Sequence, residues 1–297
     1  TSGRCNVDVV CPLGEPYPAE IRAVGDYEFQ ADGDRNYYLC SGTLVADVPR
    51  DRRNYFVTAA HCVASTAEAA SMVVYWNYES TRCGALGAPP DGFLADDQTG
   101  AQLRATRADV DVTLVELDRA PDDAWNVFYA GWDATGASPA GTIGIHHPSG
   151  DVKKITAGPR PATTSNCIAD APTGADTHWL TGPYTQGTTE GGSSGSGLFV
   201  VAGLARSADR RLIGTLSGGD AACSTTAPTL PNAGNDCYGR IAAAWDGADA
   251  GSRLRDWLDP AGTGVRSIAG VDAHDAAPAA LARSPHALAP PASSPRR

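Results

Sequence analysis

The sequence has one methionine, no CxxC pair, no apolar run long enough to cross a bilayer and too few basic residues to balance its acids. Each shortage excludes something. Without about 20 consecutive apolar residues there is no candidate membrane helix. Without CxxC or zinc-ribbon spacing, the eight cysteines read as disulfides formed after export, and no metal or cofactor is called for. With 23 Lys and Arg against 34 Asp and Glu, the formal charge of −11 leaves no clustered cations for phosphates, which excludes nucleic acid as a partner. The acidity itself needs no cause beyond solubility. Thr1 does not open a signal peptide, so the chain reads as a processed, secreted product whose signal and any propeptide have been removed. A monomer without membrane attachment is expected.

What is abundant is turn chemistry. Thirty-three Gly and 21 Pro favour many short segments over long helices, and 42% hydrophobic content across 297 residues can bury a large core. Strand-like runs occur at Tyr55–Ala60, Met72–Tyr78, Asp111–Leu117, Gly141–His146, Gly197–Ala202, Leu212–Leu216 and Tyr238–Trp245, separated by Gly, Pro, Asp and Asn clusters. The expected class is all-β. One helix is predicted near the end, capped by Ser252, with Leu254, Trp257 and Leu258 on one face and Pro260 as its stop. From about residue 273 to 297 the chain turns to Ala, Pro and Ser, a composition that buries too little to repay ordering; it reads as a tail or linker.

Three segments carry candidate chemistry. Thr58-Ala59-Ala60-His61-Cys62 places an imidazole at a strand end, and Cys40, opening Cys40-Ser41-Gly42-Thr43-Leu44, is a short-range disulfide partner for Cys62. Asp111 opens the apolar run Val112–Leu117, where a carboxylate is costly to bury unless hydrogen-bonded, as by a histidine N–H. Taken alone it reads first as an acidic turn, and Asp109 competes with it. Glu190-Gly191-Gly192-Ser193-Ser194-Gly195-Ser196-Gly197 surrounds a serine with small residues that let backbone N–H groups converge and a carbonyl approach. The order His, Asp, Ser is one of the chain orders in which a nucleophilic triad occurs.

With these motifs the chain resembles the chymotrypsin-like serine proteases, and more closely the bacterial lysyl endopeptidases. Further matching stretches are Cys5–Pro12, Val73–Tyr78, Ala130–Asp133, Ile145–Pro148 and Asp256–Pro260, so the likeness covers residues 1–272. It implies a double six-stranded β-barrel with a C-terminal helix, dividing near 120–140. It also implies His61 as general base, Asp111 as its orienting carboxylate, Ser194 as nucleophile, and the N–H groups of Gly192 and Ser194 as oxyanion hole. The disulfides it implies are Cys5–Cys223, Cys11–Cys83 and Cys40–Cys62; Cys167 and Cys237 remain and are expected to form a fourth.

The resemblance makes Asp236 the specificity carboxylate, with Ser217, Gly218 and Gly219 pairing with substrate, so that peptides with a basic P1 residue are the expected partners. Without the resemblance, Asn235-Asp236 would read first as a turn. The family's pocket histidine is Ser217 here, and no tryptophan lies near Cys167. Lysine is favoured at P1, with arginine as the alternative. Ser193, preceding the nucleophile, is not an aspartate able to pair with a new N-terminus, so the N-terminus is not expected to act as the activation switch.

Other features receive plainer readings. His146-His147 on a strand should face opposite ways and make a poor metal site. Trp76 and Tyr78 read as core or groove wall, and Asp91–Asp97 as a solvated acidic loop. The rival functions are a glutamyl-specific protease, which an acidic pocket disfavours, and a non-catalytic binding protein, which would not need all three triad residues.

Overall fold

A computed structural model describes residues 1–84, 91–158, 162–167, 176–201 and 210–275. Among the described residues, the chain forms two large curled, mainly antiparallel sheets, a small two-stranded sheet of Phe128–Tyr129 with Val271–Asp272, and a few short helices. In the first sheet the strand order is Asp96–Thr99, Val73–Trp76, Val24–Gln30, Tyr37–Val45, Tyr55–Thr58, Val112–Leu117, Ala101–Arg107. In the second it is Val7–Asp8, Lys154–Gly158, Thr142–His146, Gly197–Val200, Leu212–Gly219, Asp236–Arg240, His178–Thr181, Thr163–Ser165, with Trp132–Asp133 and Ser267–Ile268 attached beside Leu212. With seven and ten strands, both sheets exceed the expected six, the second partly through two-residue strands. The first two-residue strand is one of these: it joins the second sheet through Val7 opposite Ile155.

The burial pattern explains the strands. Tyr55–Thr58 is buried at every position and Val112–Leu117 at all but Glu116, whereas Val73–Trp76 alternates, with Val74 and Trp76 inward. Trp76, at 1% exposure, is core, and its indole N–H donates to Gln98 Oε1 at 3.0 Å. A separate cluster of Trp179, Leu198, Ile213, Leu216 and Tyr238 fills the second sheet's inner face.

Two local expectations are corrected. The run Tyr238–Trp245 is not one strand: Asp236–Arg240 is the strand, and Ile241–Ala244 turns into a helix whose alanines keep little β preference. Ser252 does not cap the last helix. That helix is Arg255–Leu258, begun at Leu254 without a side-chain cap, while the Ser252 hydroxyl turns back to Asp249. The apolar face is as expected. Leu254 and Leu258 are buried, Trp257 packs edge-on to Tyr55, and Leu258 O accepts from Val48 N–H at 2.7 Å, so the chain's end closes over the first sheet. The tail from 276 onward lies outside the described residues.

Candidate active site

His61 stands just past the Tyr55–Thr58 strand, where Thr58 pairs with Thr113 of Val112–Leu117. That ladder brings the residue before Val112 beside the histidine. Asp111 takes a left-handed backbone, φ 58°, and gives both oxygens to His61: Oδ1 accepts the backbone N–H and Oδ2 the ring Nδ1–H, each at 2.8 Å. The carboxylate is 4% exposed while the imidazole opens to solvent. Holding Nδ1–H fixes the tautomer and leaves Nε2 free to accept a proton. Asp109 points elsewhere, into a 2.5 Å pair with Arg107. Gly239, which no motif singles out, makes room for this turn: a Cβ there would lie 2.1 Å from Val110 O.

The Ser194 segment is pressed onto the first sheet. Ser41 N–H donates to Ser194 O at 2.8 Å and Ser41 Oγ to Gly192 O at 2.9 Å. Gly195, φ 78°, sits where a Cβ would meet Thr58 Oγ1 at 2.1 Å and Ser41 O at 2.5 Å, so no larger residue fits after the serine. The amides alternate in use. Ser193, Gly195 and Ser196 donate to Glu190 O, Leu216 O and Ser193 O, but among the described residues the N–H groups of Gly192 and Ser194 have no acceptor. Two unclaimed donors beside a serine form an anion-accepting site.

Glu190 ties this loop to the chain's first residues. Its Oε1 accepts Gly3 N–H at 2.7 Å and Asn6 Nδ2 at 2.8 Å, and its Oε2 accepts Ser149 Oγ at 3.0 Å. Ser2 is held by Asp151, and the Cys5–Cys223 bond fixes the same segment to the second half. In place of an aspartate's ion pair, Ser193 Oγ meets His146 Nδ1 at 2.7 Å and accepts Glu190 N–H at 3.1 Å. The adjacent His147 takes a different partner, Asp151 O at 3.0 Å, and stacks on Tyr78. Burial holds His147 well below the usual imidazole range and brings His146 down to about 3; nearby Lys153 and Lys154 add to the effect. The acidic stretch Asp91–Asp97 is a loop only in part: Asp91 accepts from Thr81, whereas Asp96 and Asp97 pair with Trp76 and Tyr75 in the strand Asp96–Thr99, Asp96 accepting from Asn77.

A cleft of 510 Å³ lies on one side of His61, bounded by Asp111, Ser217, Gly218, Gly219 and the disulfide-paired Cys167 and Cys237. The other disulfides join Cys11 to Cys83 and Cys40 to Cys62. A register shift between Leu216 and Gly218 bulges Ser217 out of the ladder, leaving its buried Oγ without a partner.

Asp236 is fully buried behind this edge. A Cβ on Gly219 would come within 2.4 Å of its Oδ1. Its Oδ2 accepts from Tyr184 OH and Thr189 Oγ1, each at 2.8 Å, while Oδ1 accepts no hydrogen bond of good geometry. Burial raises its pKa; the two hydroxyls, and less strongly the Ala221 N–H, oppose the rise. No motif marks Tyr184 and Thr189, which reach Asp236 across 52 and 47 residues. Asp220 serves the turn, accepting Asn235 N–H at 2.7 Å.

The two curled sheets, with a histidine, a carboxylate and a glycine-flanked serine at their junction, define the class of chymotrypsin-like serine protease folds. The protease Anisep from Arthrobacter nicotinovorans shares this fold, with a TM-score of 0.52 at 16% identity over 79% of this chain and 93% of that one. Residues 1–239 match the family described as the lysyl endopeptidase C-terminal domain, and the chain belongs to that family. A lysyl endopeptidase of Pseudomonas aeruginosa is 36% identical over 234 residues, 77% of this chain; the match spans 47% of the relative, about half its length.

Proposed function

We propose that the chain is a secreted serine endopeptidase that cleaves after basic P1 residues, with lysine preferred. The observation that carries this reading is the pairing of Asp111 with His61 at 2.8 Å beside a serine loop with two unclaimed amides. In the mechanism this supports, His61 Nε2 takes the Ser194 Oγ proton as the oxygen attacks the peptide carbonyl. The tetrahedral oxyanion is stabilised by the N–H groups of Gly192 and Ser194. His61 then gives the proton to the departing amine, and water, activated by the same imidazole, hydrolyses the acyl-enzyme. Asp111 stays ionised throughout and stabilises the imidazolium.

Asp236 supports a basic P1 residue, since a buried carboxylate with one idle oxygen disfavours neutral and acidic side chains. The idle oxygen also supports lysine over arginine. With Oδ2 filled by Tyr184 and Thr189, only Oδ1 remains, which suits an ammonium better than the two-pronged guanidinium fork. The four disulfides and the family's chemistry support an extracellular setting.

The test joins labelling to a peptide panel. A phosphonate bearing a lysine-like side chain should modify Ser194 in the folded protein and fail with Ser194→Ala. Peptides differing only at P1 should be cleaved after Lys over Arg, and Asp236→Asn should lower kcat/KM for lysine by about 100-fold or more, as for a desolvated charge that loses its partner. Absence of Ser194 labelling, or preferred cleavage after Glu, overturns the proposal.

A further inference from the structure

The peptide unit joining Gly191 to Gly192 is held from the side opposite its unclaimed N–H. In a planar trans peptide the carbonyl and the N–H point in opposite directions, so whatever fixes Gly191 O also aims Gly192 N–H. Among the described residues, what fixes Gly191 O is one bond: Ser149 N–H donates to it at 2.6 Å. The other unclaimed amide is set from within its own loop, since Ser193 O, in the peptide that carries Ser194 N–H, accepts from Ser196 N–H at 3.1 Å. The Gly192 amide therefore takes its direction from a separate stretch of chain.

That stretch is a tight turn under strain. Asp151 N–H closes it on Pro148 O at 3.0 Å, and both central residues are left-handed, Ser149 at φ 56°, ψ 28° and Gly150 at φ 60°. Glycine adopts such a backbone without steric cost; serine does not. Neighbours keep it there. Ser149 Oγ donates to Glu190 Oε2 at 3.0 Å, and the other Glu190 oxygen is gripped by Gly3 and Asn6. At the turn's start, His146 Nδ1 meets Ser193 Oγ, and His147 N–H donates to Ser41 Oγ, which in turn donates to Gly192 O. At its end, the Asp151 carboxylate holds Ser2. Turn and loop are in close contact: a Cβ on Gly192 would stand 3.0 Å from His147 O and 3.1 Å from Ser149 N.

We propose that Ser149 is a positioning residue for the oxyanion hole: its left-handed backbone keeps its N–H on Gly191 O and so turns Gly192 N–H toward the carbonyl that Ser194 attacks. The proposal rests on the endopeptidase reading above. If residue 149 relaxes toward an ordinary backbone, its N–H leaves Gly191 O and the 191–192 peptide can rotate. One of two donors is then withdrawn from the transition state, while the substrate's ground state binds as before.

The test is a series at one position, ordered by tolerance of a left-handed backbone: Ser149→Gly, Ser149→Asn, Ser149→Ala and Ser149→Val, each checked by circular dichroism and thermal unfolding. All keep the backbone N–H. The glycine, alanine and valine variants all lack the hydroxyl, so backbone conformation is what separates them. With the best-cleaved peptide of the P1 panel, Ser149→Gly and Ser149→Asn should keep kcat within about three-fold of wild type. Ser149→Ala should lose about ten-fold and Ser149→Val about 100-fold or more, the scale of one lost oxyanion donor, with KM little changed. The aldehyde of the same peptide, whose oxygen enters the hole when Ser194 adds to its carbonyl and passes its proton to His61, should weaken as an inhibitor in step with kcat. Equal kcat across the series, a loss in Ser149→Gly as large as in Ser149→Val, or a loss confined to KM overturns the positioning role. Should Ser149→Val not fold, Ser149→Gly against Ser149→Ala decides on the same criteria. A wild type that cleaves no peptide overturns the endopeptidase reading, and this role with it.

Discussion

Asp26 and Asp236 are both carboxylates buried in strands, and they differ in what surrounds them. Asp236 has two hydroxyl donors, whereas Asp26 Oδ1 has no partner and Asp26 is 3% exposed. Burial raises Asp26 to about 8, with the Tyr27 backbone N–H and the buried ammonium of Lys153 pulling the other way. Between the ordinary carboxylate range and pH 8 the unfolded chain has lost a proton that the fold retains, so this residue makes stability fall as pH rises. Asp26→Asn should therefore raise the melting temperature over wild type at pH 8 and converge with it near pH 4; thermal unfolding across that range decides. Only the family resemblance proposes Asp236 as a specificity residue, since Asn-Asp is ordinarily a turn. Its partners Tyr184 and Thr189 were not legible at all. Contacts made across a sheet leave no local spacing to read.

At the scale of elements, hydrophobic runs located the strands because burial on one or both faces demands them, yet the ends drifted. Tyr238–Trp245 looked continuous because alanine and isoleucine are apolar in either conformation, and only the ladder shows the change at Arg240. The Ser217 bulge was hidden for a related reason: nothing in Leu216-Ser217-Gly218 indicates which residue the opposite strand skips. Gly239 shows how one element constrains another. Gly239→Ala must push the Val110–Asp111 turn aside, moving the carboxylate that holds His61. Its expected effect is a fall in kcat of about 100-fold, the scale of a 1 Å misplacement, with KM little changed. Steady-state kinetics with a lysine peptide, alongside a circular dichroism spectrum matching wild type, measures this; unaltered kcat would mean the turn yields without moving Asp111.

Across the whole molecule, order in the Ser194 loop depends on residues far away in the chain. Cys5–Cys223 closes a separation of 218 residues, and removing it with paired serine substitutions should cost about 5 kcal/mol in the loop-entropy picture, read as a lower denaturant midpoint. Cysteine count and acidity pointed to disulfides, but eight cysteines allow 105 pairings, and the Cys5–Cys223 and Cys11–Cys83 partners came from the resemblance. No motif marks the meeting of Gly3 and Asn6 with Glu190, because one hydrogen bond is from a backbone amide and the other spans 184 residues.

That arrangement has a mechanical side. Tension on the chain ahead of Cys5 would first part Ser2 from Asp151 and Gly3 from Glu190, and would then be stopped by a covalent bond before reaching Asn6. The bridge works like the strain relief on a cable. A tug at the end is absorbed at the sulfur atoms, while Asn6 keeps its grip on the loop that carries Ser194.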